Sequence, residues 1–447
     1  MVSAKDYERM IYAVIEAVRQ GEKIKPVQEP IRRAMIKYKL QGTPLDRRAS
    51  GIIYSVFRNL GIVDKIIEEI TGKKPYELDS ITRSVLRLVT YVLQLDPRAG
   101  HSLKHTVTRY AKKYLALRAR TDNIEYINKI AETKWRPKSP EEKILLEYRV
   151  SPSLYYALRN SFDLLGEDLE AFLALTYKQY TKTFRVNTLK ASRKAILVFL
   201  KKAGYSVEPG RYSRNAVIIR GPLGKDAVKL IETGILTPQD ESSMVAVELL
   251  DPKPGTRIAD LCSAPGGKTS YLAEYTGLKS EIHSFEIYSD RAKRLRALLE
   301  RTGTLKAVTI HVEDARKAPE ILGEETMDYV LVDPPCSSTG ALARNPDVRW
   351  RYRDEDIREI TRLQCELLEA GWRLLRPSGR LLYTVCSVLV EEGEKIIKEF
   401  TESHDDAELI HLTKPFKPSP LLPGTMRAYP HIHGTIGFYY ALLRKKK

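Results

Sequence analysis

Two cysteines in the second half of the chain stand where apolar, strand-like sequences end. Cys336 lies in DPPCSSTG at residues 333–340, and Cys386 lies in TVCS. A cysteine thiolate forms readily near neutral pH and is both a nucleophile and a leaving group, which suits covalent catalysis. A lone strand cysteine is more often an inert apolar side chain, but two at neighbouring strand ends favour the chemical interpretation.

A carboxylate precedes the first of these cysteines. The two prolines between them lack backbone N–H donors and favour an extended turn, so Asp333 and Cys336 are expected at the mouth of the site. The other two cysteines, Cys262 and Cys365, form no CxxC pair, so no zinc or other metal site is predicted. We assign Cys365, within a predicted helix, to packing.

A loop of small residues follows the first strand of this region, in DLCSAPGGKTS at residues 260–270. Its candidate ligand-binding residues are Cys262, Ser263, Ala264, Pro265, Gly266, Gly267 and Lys268. Small residues let a ligand approach the backbone, and N–H groups at the start of a helix can bind it. The pattern is neither GxGxxG nor GxxxxGK[ST], so NAD and ATP are disfavoured. For this loop alone, a plain turn between strand and helix remains an alternative.

Two acidic residues end the next two strands. A carboxylate at the position of Glu286 suits the two hydroxyls of a ribose. Asp314 can accept from an adenine amino group, although such a residue is more often a helix cap. The order of small-residue loop, Glu286 and Asp314 favours an adenosyl ligand.

Five apolar strands must position these residues within the third of three predicted domains, residues 241–447. Their sequences are RIADLCS, EIHSFEI, AVTIHVED, MDYVLVDPP and GRLLYTVCS. Nearly continuous apolar strands with helical crossovers predict a parallel, doubly wound, Rossmann-like α/β sheet, in which ligands bind beyond the carboxyl ends of the strands. ELIHLT and GFYYALLRKKK are predicted to add two further strands.

The remaining chain divides into two smaller predicted domains. Residues 1–140 have helical apolar periodicity without strand patterns, which predicts an all-α domain. Residues 141–240 have the order β-α-β-β-α-β of a small α+β, ferredoxin-like unit. RNA-binding modules share this topology, but Phe184 is the one strand aromatic well placed to stack on a base.

Positive charge is concentrated in the first domain. The chain of 447 residues has a formal net charge of +17. Residues 1–140 hold 28 Lys and Arg against 15 Asp and Glu, whereas residues 251–447 hold 30 against 29. This excess favours a polyanionic partner, most often nucleic acid, over a basic but inert surface.

Composition and pattern exclude several classes of protein. Charged residues interrupt every apolar stretch before the roughly 18 residues that a membrane helix requires. The first residues, MVSAKDYERM, contain no apolar core of a signal peptide. Four cysteines in a chain of this length cannot form a disulfide framework. We therefore expect a cytoplasmic protein with reduced thiols.

These motifs together resemble the NSUN/Fmu (RsmB-type) family of S-adenosylmethionine-dependent RNA cytosine-C5 methyltransferases. The similar stretches are FRVNTLK, QDESSMV, DLCSAPGGKTS, DPPCSSTG, the TVCS around Cys386 and RAYPHIHGTIGFYYALLRK. The resemblance covers residues 150–447, and residues 1–140 more weakly resemble the NusB-like domain of Fmu-type members. Val385 stands where the family usually has Thr, and Ile436 stands where many members have Asp.

The resemblance implies a role for each candidate residue. Cys386 is the implied nucleophile toward cytosine C6, and Cys336 assists product release. Asp333 is implied to bind the N3–N4 edge of the base and to lie beside the cofactor. The implied cofactor is S-adenosylmethionine, held by the small-residue loop, Glu286 and Asp314. The implied substrate is an unstacked cytosine in ribosomal or transfer RNA.

Two other functions remain open from the sequence. Methylation of a protein or a small molecule is disfavoured because nitrogen and oxygen acceptors need no thiol adduct. A non-catalytic RNA-binding or ribosome-assembly factor that retains the cofactor fold is disfavoured by the intact loop and by both cysteines.

Overall fold

A computed structural model of the protein describes residues 3–24, 27–177 and 182–447. Within these residues, no helix combines the length and the apolar character that a membrane crossing requires. The structure is built from helices and two sheets, which contain the strands expected from the sequence and two short strands more.

The chain forms two compact units. The first consists of Met1–Tyr156 together with Arg344–Tyr352, and the second consists of Ala157–Ala343 together with Arg353–Lys447. A short stretch downstream of Cys336 therefore belongs to the helical unit, although its position in the sequence lies within the predicted sheet domain. The three domain ranges given above stay predictions.

The first unit consists of helices and their connections, without a strand among its described residues. Helix α1 begins at a capping box in which Ser3 and Asp6 each accept from the other's backbone N–H. Asp79 caps α5 by accepting from the N–H groups of Ile81 and Thr82. The helices are α1 (Ala4–Gln20), α2 (Gln28–Lys37), α3 (Pro44–Arg58), α4 (Leu60–Thr71), α5 (Ser80–Thr90), α6 (His101–Ala116), α7 (Ile124–Glu132) and α8 (Pro140–Glu147).

The ferredoxin-like part has the predicted order of strands and helices. Its elements, with the two helices before it, are α9 (Pro152–Leu165), α10 (Leu169–Thr176), β1 (Lys182–Val186), α11 (Arg193–Lys202), β2 (Ser206–Pro209), β3 (Ala216–Arg220), α12 (Lys225–Glu232) and β4 (Leu236–Pro238). The strands pair antiparallel in the order β2-β3-β1-β4. The expectation that Phe184 is placed for base stacking is wrong, because its ring is buried in the core of this sheet with Val186 and Leu200.

The second sheet contains the five predicted apolar strands. In chain order, and including α17, which belongs to the first unit, the elements are α13 (Glu241–Leu250), β5 (Arg257–Asp260), α14 (Gly267–Tyr275), β6 (Glu281–Phe285), α15 (Ser289–Thr302), β7 (Val308–His311), α16 (Ala318–Leu322), β8 (Met327–Val332), α17 (Val348–Arg351), α18 (Asp354–Leu374), β9 (Leu375–Val385), α19 (Glu394–Ser403), β10 (Ala407–Ile410), β11 (Lys417–Pro418), β12 (Met426–Ala428), α20 (Pro430–His433) and β13 (Phe438–Lys445). Strands β11 and β12 were not expected, because two or three residues are too few to show a periodic pattern.

The order of this sheet creates a crevice at the ends of its central strands. The order is β11-β12-β13-β9-β8-β5-β6-β7, and β10 also pairs with β13. Strands β5 to β9 are parallel, whereas β13 is antiparallel to β9. Because the chain runs outward from β5 in both directions, β5 and β8 flank a topological switch point, where open α/β sheets bind ligands.

Candidate active site

The loop after β5 is held against the end of β6 and approaches α15 closely. The Ser263 N–H and hydroxyl both donate to the Phe285 carbonyl at 3.0 Å, and the hydroxyl also lies 2.9 Å from the Asp260 carbonyl. Gly266 has a φ of +106°, and a Cβ atom there would lie 2.7 Å from Leu295 Cδ1. The turn therefore requires glycine, both for its conformation and for the close approach.

The other residues of the loop have distinct surroundings. The Ala264 carbonyl accepts from Arg291 at 2.9 Å, and Pro265 follows a cis peptide bond. The Gly267 carbonyl, at the start of α14, accepts from the buried guanidinium of Arg185 at 2.5 Å. Burial is the main cause that raises the pKa of the Cys262 thiol well above its usual value, so this cysteine stays protonated.

Of the two strand-end acids, Glu286 lies against the loop. Its carboxylate is buried, accepts from the Tyr288 N–H at 3.0 Å and lies 3.3 Å from the Arg291 guanidinium. Arg291 in turn donates to the loop carbonyl of Ala264, so Glu286 and the loop share one partner.

Asp314 has a different environment. Its carboxylate accepts from the Arg316 N–H at 3.0 Å and forms a 2.6 Å ion pair with the Arg316 guanidinium, whose hydrogen bond lowers the pKa of Asp314. Among the described contacts none joins Asp314 to the loop. The structure thus shows the capping role, and a contact with adenine stays a prediction.

Asp260, which the sequence analysis did not single out, has an unsatisfied buried oxygen. It ends β5 and is almost completely buried. Oδ2 accepts from the Thr269 hydroxyl at 2.7 Å, whereas Oδ1 has no hydrogen-bond partner among the described residues. Burial raises its pKa to about 6. An orphaned buried acceptor at the base of the loop is the feature that a ligand with an amino group would satisfy. The sequence offered one indication of this role: Asp260 is the first residue of the motif DLCSAPGGKTS.

Lys268 and Asp333 form an ion pair between the loop after β5 and the end of β8. The Lys268 ammonium also lies 5.2 Å from the centre of the Phe438 ring, within the range of a cation–π interaction. Burial disfavours the charge on Lys268, but the Asp333 carboxylate outweighs that effect, and the pKa of Lys268 is raised. A fixed cation therefore stands beside Asp333.

The two cysteines lie together at the ends of neighbouring strands. Cys336 follows β8 and Cys386 follows β9, and their Sγ atoms are 3.1 Å apart. Ser338 Oγ lies 3.6 Å from Cys386 Sγ. The hydrogen bond from Cys336 lowers the pKa of Cys386, whereas the same hydrogen bond and burial raise the pKa of Cys336. Within the pair, this hydrogen bond favours the thiolate form at Cys386 and the thiol form at Cys336.

Cys365 does not have the packing role that we assigned to it from the sequence. Cys365 is exposed on α18, so the prediction that it serves packing is wrong. The helix was predicted correctly, but the face on which position 365 lies is not the one that packs on the sheet. That face is formed by Gln364, Leu367, Leu368 and Trp372, which are buried.

Family models match most of the second unit. The model described as 16S rRNA methyltransferase RsmB/F matches residues 247–444, and the model of an RsmF/B-like ferredoxin-like domain matches residues 158–225. A crystal structure of a methyltransferase homologue from Pyrococcus horikoshii is 31% identical, with a TM-score of 0.57; the match covers 66% of this chain and 100% of that one. The chain belongs to the RsmB/F methyltransferase family. Its membership confirms the expected cofactor, S-adenosylmethionine, and the expected order of domains by type.

Two further proteins are similar to this RsmB/F family member. The crystal structure of PH0851 is 39% identical, has a TM-score of 0.90 and is matched over 98% of this chain and 99% of its own. Ribosomal RNA small subunit methyltransferase B of Yersinia pseudotuberculosis serotype O:1b (strain IP 31758) is 37% identical over 262 residues. That match spans 59% of this chain and 59% of the length of the curated relative.

Proposed function

We propose that this RsmB/F family member methylates C5 of an unstacked cytosine in RNA by way of a covalent adduct with Cys386. The observation that carries the proposal is the 3.1 Å separation of the Cys336 and Cys386 Sγ atoms at the ends of β8 and β9, the two strands next to β5 on one side. Methyl transfer to nitrogen or oxygen needs no thiol adduct, so a close pair of cysteine sulfurs favours a carbon acceptor. Ribosomal RNA is the favoured substrate, because a 37%-identical relative is named a ribosomal RNA methyltransferase.

Cys386 has the chemistry of the attacking group. Cytosine C5 is a poor nucleophile, but thiolate addition to C6 forms a C6–S bond and moves the electron pair of the 5,6 double bond into the ring. C5 then has enamine character. The Cys336 hydrogen bond lowers the pKa of Cys386 and thereby favours the thiolate, the form of the sulfur that attacks C6.

Asp333 is the group that we assign to the base edge. Its Oδ2 is bound by Lys268, which fixes the carboxylate in one orientation and keeps a cation beside it. A carboxylate accepts hydrogen bonds from the cytosine N4 amino group and from a protonated N3, and uracil offers no amino donor. The pair therefore favours cytosine over uracil. The carboxylate also stabilises the proton on N3, and that proton neutralises the negative charge that C6 addition places on the ring.

The residues around the loop after β5 fit S-adenosylmethionine. When bound, this cofactor supplies an electrophilic methyl group on a sulfonium. We assign its amino group to Asp260 Oδ1, which has no partner among the described residues, and its ribose to Glu286. Gly266 keeps the backbone of the loop free of a side chain where α14 begins.

Cys336 is the group that we assign to release of the product. After C5 has gained its methyl group, loss of the C5 proton restores the 5,6 double bond and expels the Cys386 thiolate. The hydrogen bond to Cys386 and its charge contribute to the raised pKa of Cys336. Because Cys386 carries no charge while it is bonded to C6, that cause is then absent, and ionisation of Cys336 becomes less costly. In this proposal the Cys336 proton passes to solvent, and the resulting thiolate accepts the C5 proton.

The helical unit has a basic cleft that suits RNA phosphates. The cleft has a volume of about 330 Å³ and is lined by Arg47, Arg48 and Arg98, with Asp96 as the acidic residue among its lining. Arg48 donates to the Tyr7 hydroxyl at 3.2 Å, and the Arg98 guanidinium is 4.0 Å from Asp96. Three arginines against one carboxylate leave an excess of positive charge for a polyanion.

Replacing these three arginines together with alanine is expected to weaken RNA binding and to reduce its salt dependence. If each contacts one phosphate of unpaired RNA, the slope of log Kd against log salt falls by about 2. Fluorescence anisotropy with labelled RNA between low and moderate salt measures this slope. The matched control replaces Arg220, Arg373 and Arg444, exposed arginines that pair with glutamates in the second unit. Equal slopes for the two triple variants would contradict the assignment of the cleft.

Cofactor affinity is expected to depend on the protonation of Asp260. Because its pKa is raised to about 6, the carboxyl is neutral below that pH and loses its attraction for the amino group of the ligand. Calorimetric titration with S-adenosylhomocysteine should show affinity falling about tenfold per pH unit below pH 6. The Asp260→Asn variant should bind more weakly at pH 8 and show no such dependence. A wild-type affinity that is constant between pH 5 and 8 would exclude this role.

The proposed reaction is tested by methyl transfer from labelled S-adenosylmethionine to RNA, followed by digestion and nucleoside analysis. The expected product is 5-methylcytidine. Label on another nucleoside position or on protein would contradict cytosine-C5 chemistry, and absence of transfer to any RNA would favour the non-catalytic alternative.

A further inference from the structure

One buried carboxylate connects the two loops that carry the cysteines. Glu392 lies after β9, in the short turn before α19, and is fully buried. Its Oε1 accepts from the Ser337 N–H at 2.8 Å and from Gln364 Nε2 at 3.0 Å. Its Oε2 accepts from the Ser337 hydroxyl and from the Ser387 hydroxyl, the latter at 2.5 Å.

Two of these donor residues immediately follow the cysteines in the chain. Ser337 comes after Cys336, and Ser387 comes after Cys386, so each loop is fixed to Glu392 one residue away from its thiol. Within the described part of the chain Glu392 forms no ion pair. Four hydrogen bonds from uncharged donors therefore hold the carboxylate in place, and each is of the stronger, charge-assisted kind.

We infer that Glu392 is a positioning residue that sets the separation of Cys336 and Cys386. The inference rests on the proposed function, in which the thiol must donate to the thiolate before C6 is attacked. Glu392 forms no hydrogen bond with either sulfur, so its effect on their separation passes through the two serines; its charge also contributes to the raised pKa of Cys336. A glutamine at this position has a donor NH₂ group in place of one carboxylate oxygen. That group cannot accept a hydrogen bond, so the connection to one of the two cysteine loops is lost.

The separation of the thiols can be measured without RNA or cofactor. Diamide oxidises a close pair of thiols: it takes up two electrons and two protons to become a hydrazine, and a Cys336–Cys386 disulfide forms. Peptide mass mapping under non-reducing conditions follows this one disulfide with time. Wild-type protein, Glu392→Gln and the control Glu391→Gln are compared; Glu391 is partly exposed and pairs with Lys395 at 2.9 Å.

The Glu392→Gln variant is expected to form the disulfide about 100-fold more slowly than wild type, because an approach of reacting atoms that is wrong by about 1 Å has an effect of that size. The Glu391→Gln variant is expected to stay within about twofold of wild type, since an exposed ion pair contributes little. Equal rates for the two variants would overturn the inference.

Serine variants provide the second measurement, because a buried amide at position 392 can also impair folding. Ser337→Ala keeps its backbone donor, and Ser387→Ala removes a single hydroxyl, so each is expected to fold and to oxidise more slowly by about tenfold. The effects of Ser337→Ala and Glu392→Gln should be non-additive in the double variant, because they remove one connection. Wild-type oxidation rates in both serine variants would also overturn the inference.

Turnover separates positioning from general destabilisation. With active enzyme, the Glu392→Gln variant should lose kcat while the KM for S-adenosylmethionine stays unchanged, because the described partners of Glu392 lie outside the loop after β5. An equal effect on both parameters would indicate a merely structural role. If no variant methylates cytosine but disulfide formation follows the expected order, the proposed function fails and the positioning role stands.

Discussion

Alanine in place of Cys386 is expected to abolish methyl transfer to RNA, with a loss of about 10⁴-fold or more in turnover, as for removal of other catalytic nucleophiles. Without the sulfur no bond to C6 can form, and C5 keeps its low nucleophilicity. The variant should also form no covalent complex with RNA on a denaturing gel. Labelled methyl transfer and the gel together measure both consequences.

The structure provides a matched control for this variant. Cys365 is exposed on α18, outside the site, so Cys365→Ala removes a thiol from the same chain without touching the reacting groups. This variant should retain wild-type turnover. Binding of S-adenosylhomocysteine by the Cys386 variant should also be unchanged, which separates loss of the nucleophile from loss of the fold. A covalent RNA complex formed by the Cys386 variant would contradict the assignment of Cys386 as the nucleophile.

The choice of Cys386 over Cys336 has an electrostatic basis. The two sulfurs share one hydrogen bond, so only one of them can be the acceptor. That hydrogen bond lowers the pKa of Cys386 and raises that of Cys336. Of the two sulfurs, Cys386 is therefore the one on which a negative charge is favoured. The Lys268 cation also lowers the pKa of Cys386, whereas the Asp333 carboxylate raises it.

The parallel strands and their terminal residues could be predicted because their signal is local. Each central strand is a short apolar run, and the residue after it stands at the carboxyl edge of the sheet. Cys336 and Cys386 could therefore be placed near each other from sequence pattern alone. Their order of ionisation could not, because it depends on a 3.1 Å contact between positions 50 residues apart.

Glu392 and Asp260 show which features leave no local signal. Glu392 accepts from Ser337 across 55 positions, and no periodic pattern links a turn before α19 to the loop after β8. Asp260 was inside a recognised motif, but its orphaned oxygen follows from burial and from the hydroxyl of Thr269, which only the fold provides. Both are consequences of long-range packing, not of residue type.

The stretch Arg344–Tyr352 illustrates the same point at the level of domains. Sequence order alone placed it in the sheet domain, yet it belongs to the helical unit. There the Trp350 indole N–H donates to the Phe57 carbonyl at 2.7 Å, and a Cβ atom on Gly61 would lie 2.4 Å from the Trp350 ring. Such a fit is a matter of shape, which periodicity and composition do not encode.

Alanine in place of Cys336 is expected to have the opposite outcome to the Cys386 variant: a covalent protein–RNA complex should accumulate. Cys386 can still attack C6, but the group that we assign to remove the C5 proton is absent. Turnover should fall by about 100-fold or more, the usual contribution of a positioned general base. Denaturing electrophoresis of the variant with RNA and S-adenosylmethionine measures the complex, and mass mapping should place the link on Cys386.

The adduct of the Cys336 variant should also depend on pH in a specific direction. Cys336 donates the hydrogen bond that lowers the pKa of Cys386, so its removal raises the pKa of the remaining thiol. Adduct formation should therefore need a higher pH in the variant than the first half of the reaction needs in wild type. Omission of S-adenosylmethionine is the control, because an unmethylated adduct can reverse without loss of a C5 proton. A Cys336 variant that turns over at the wild-type rate, without trapped RNA, would show that another group removes the proton.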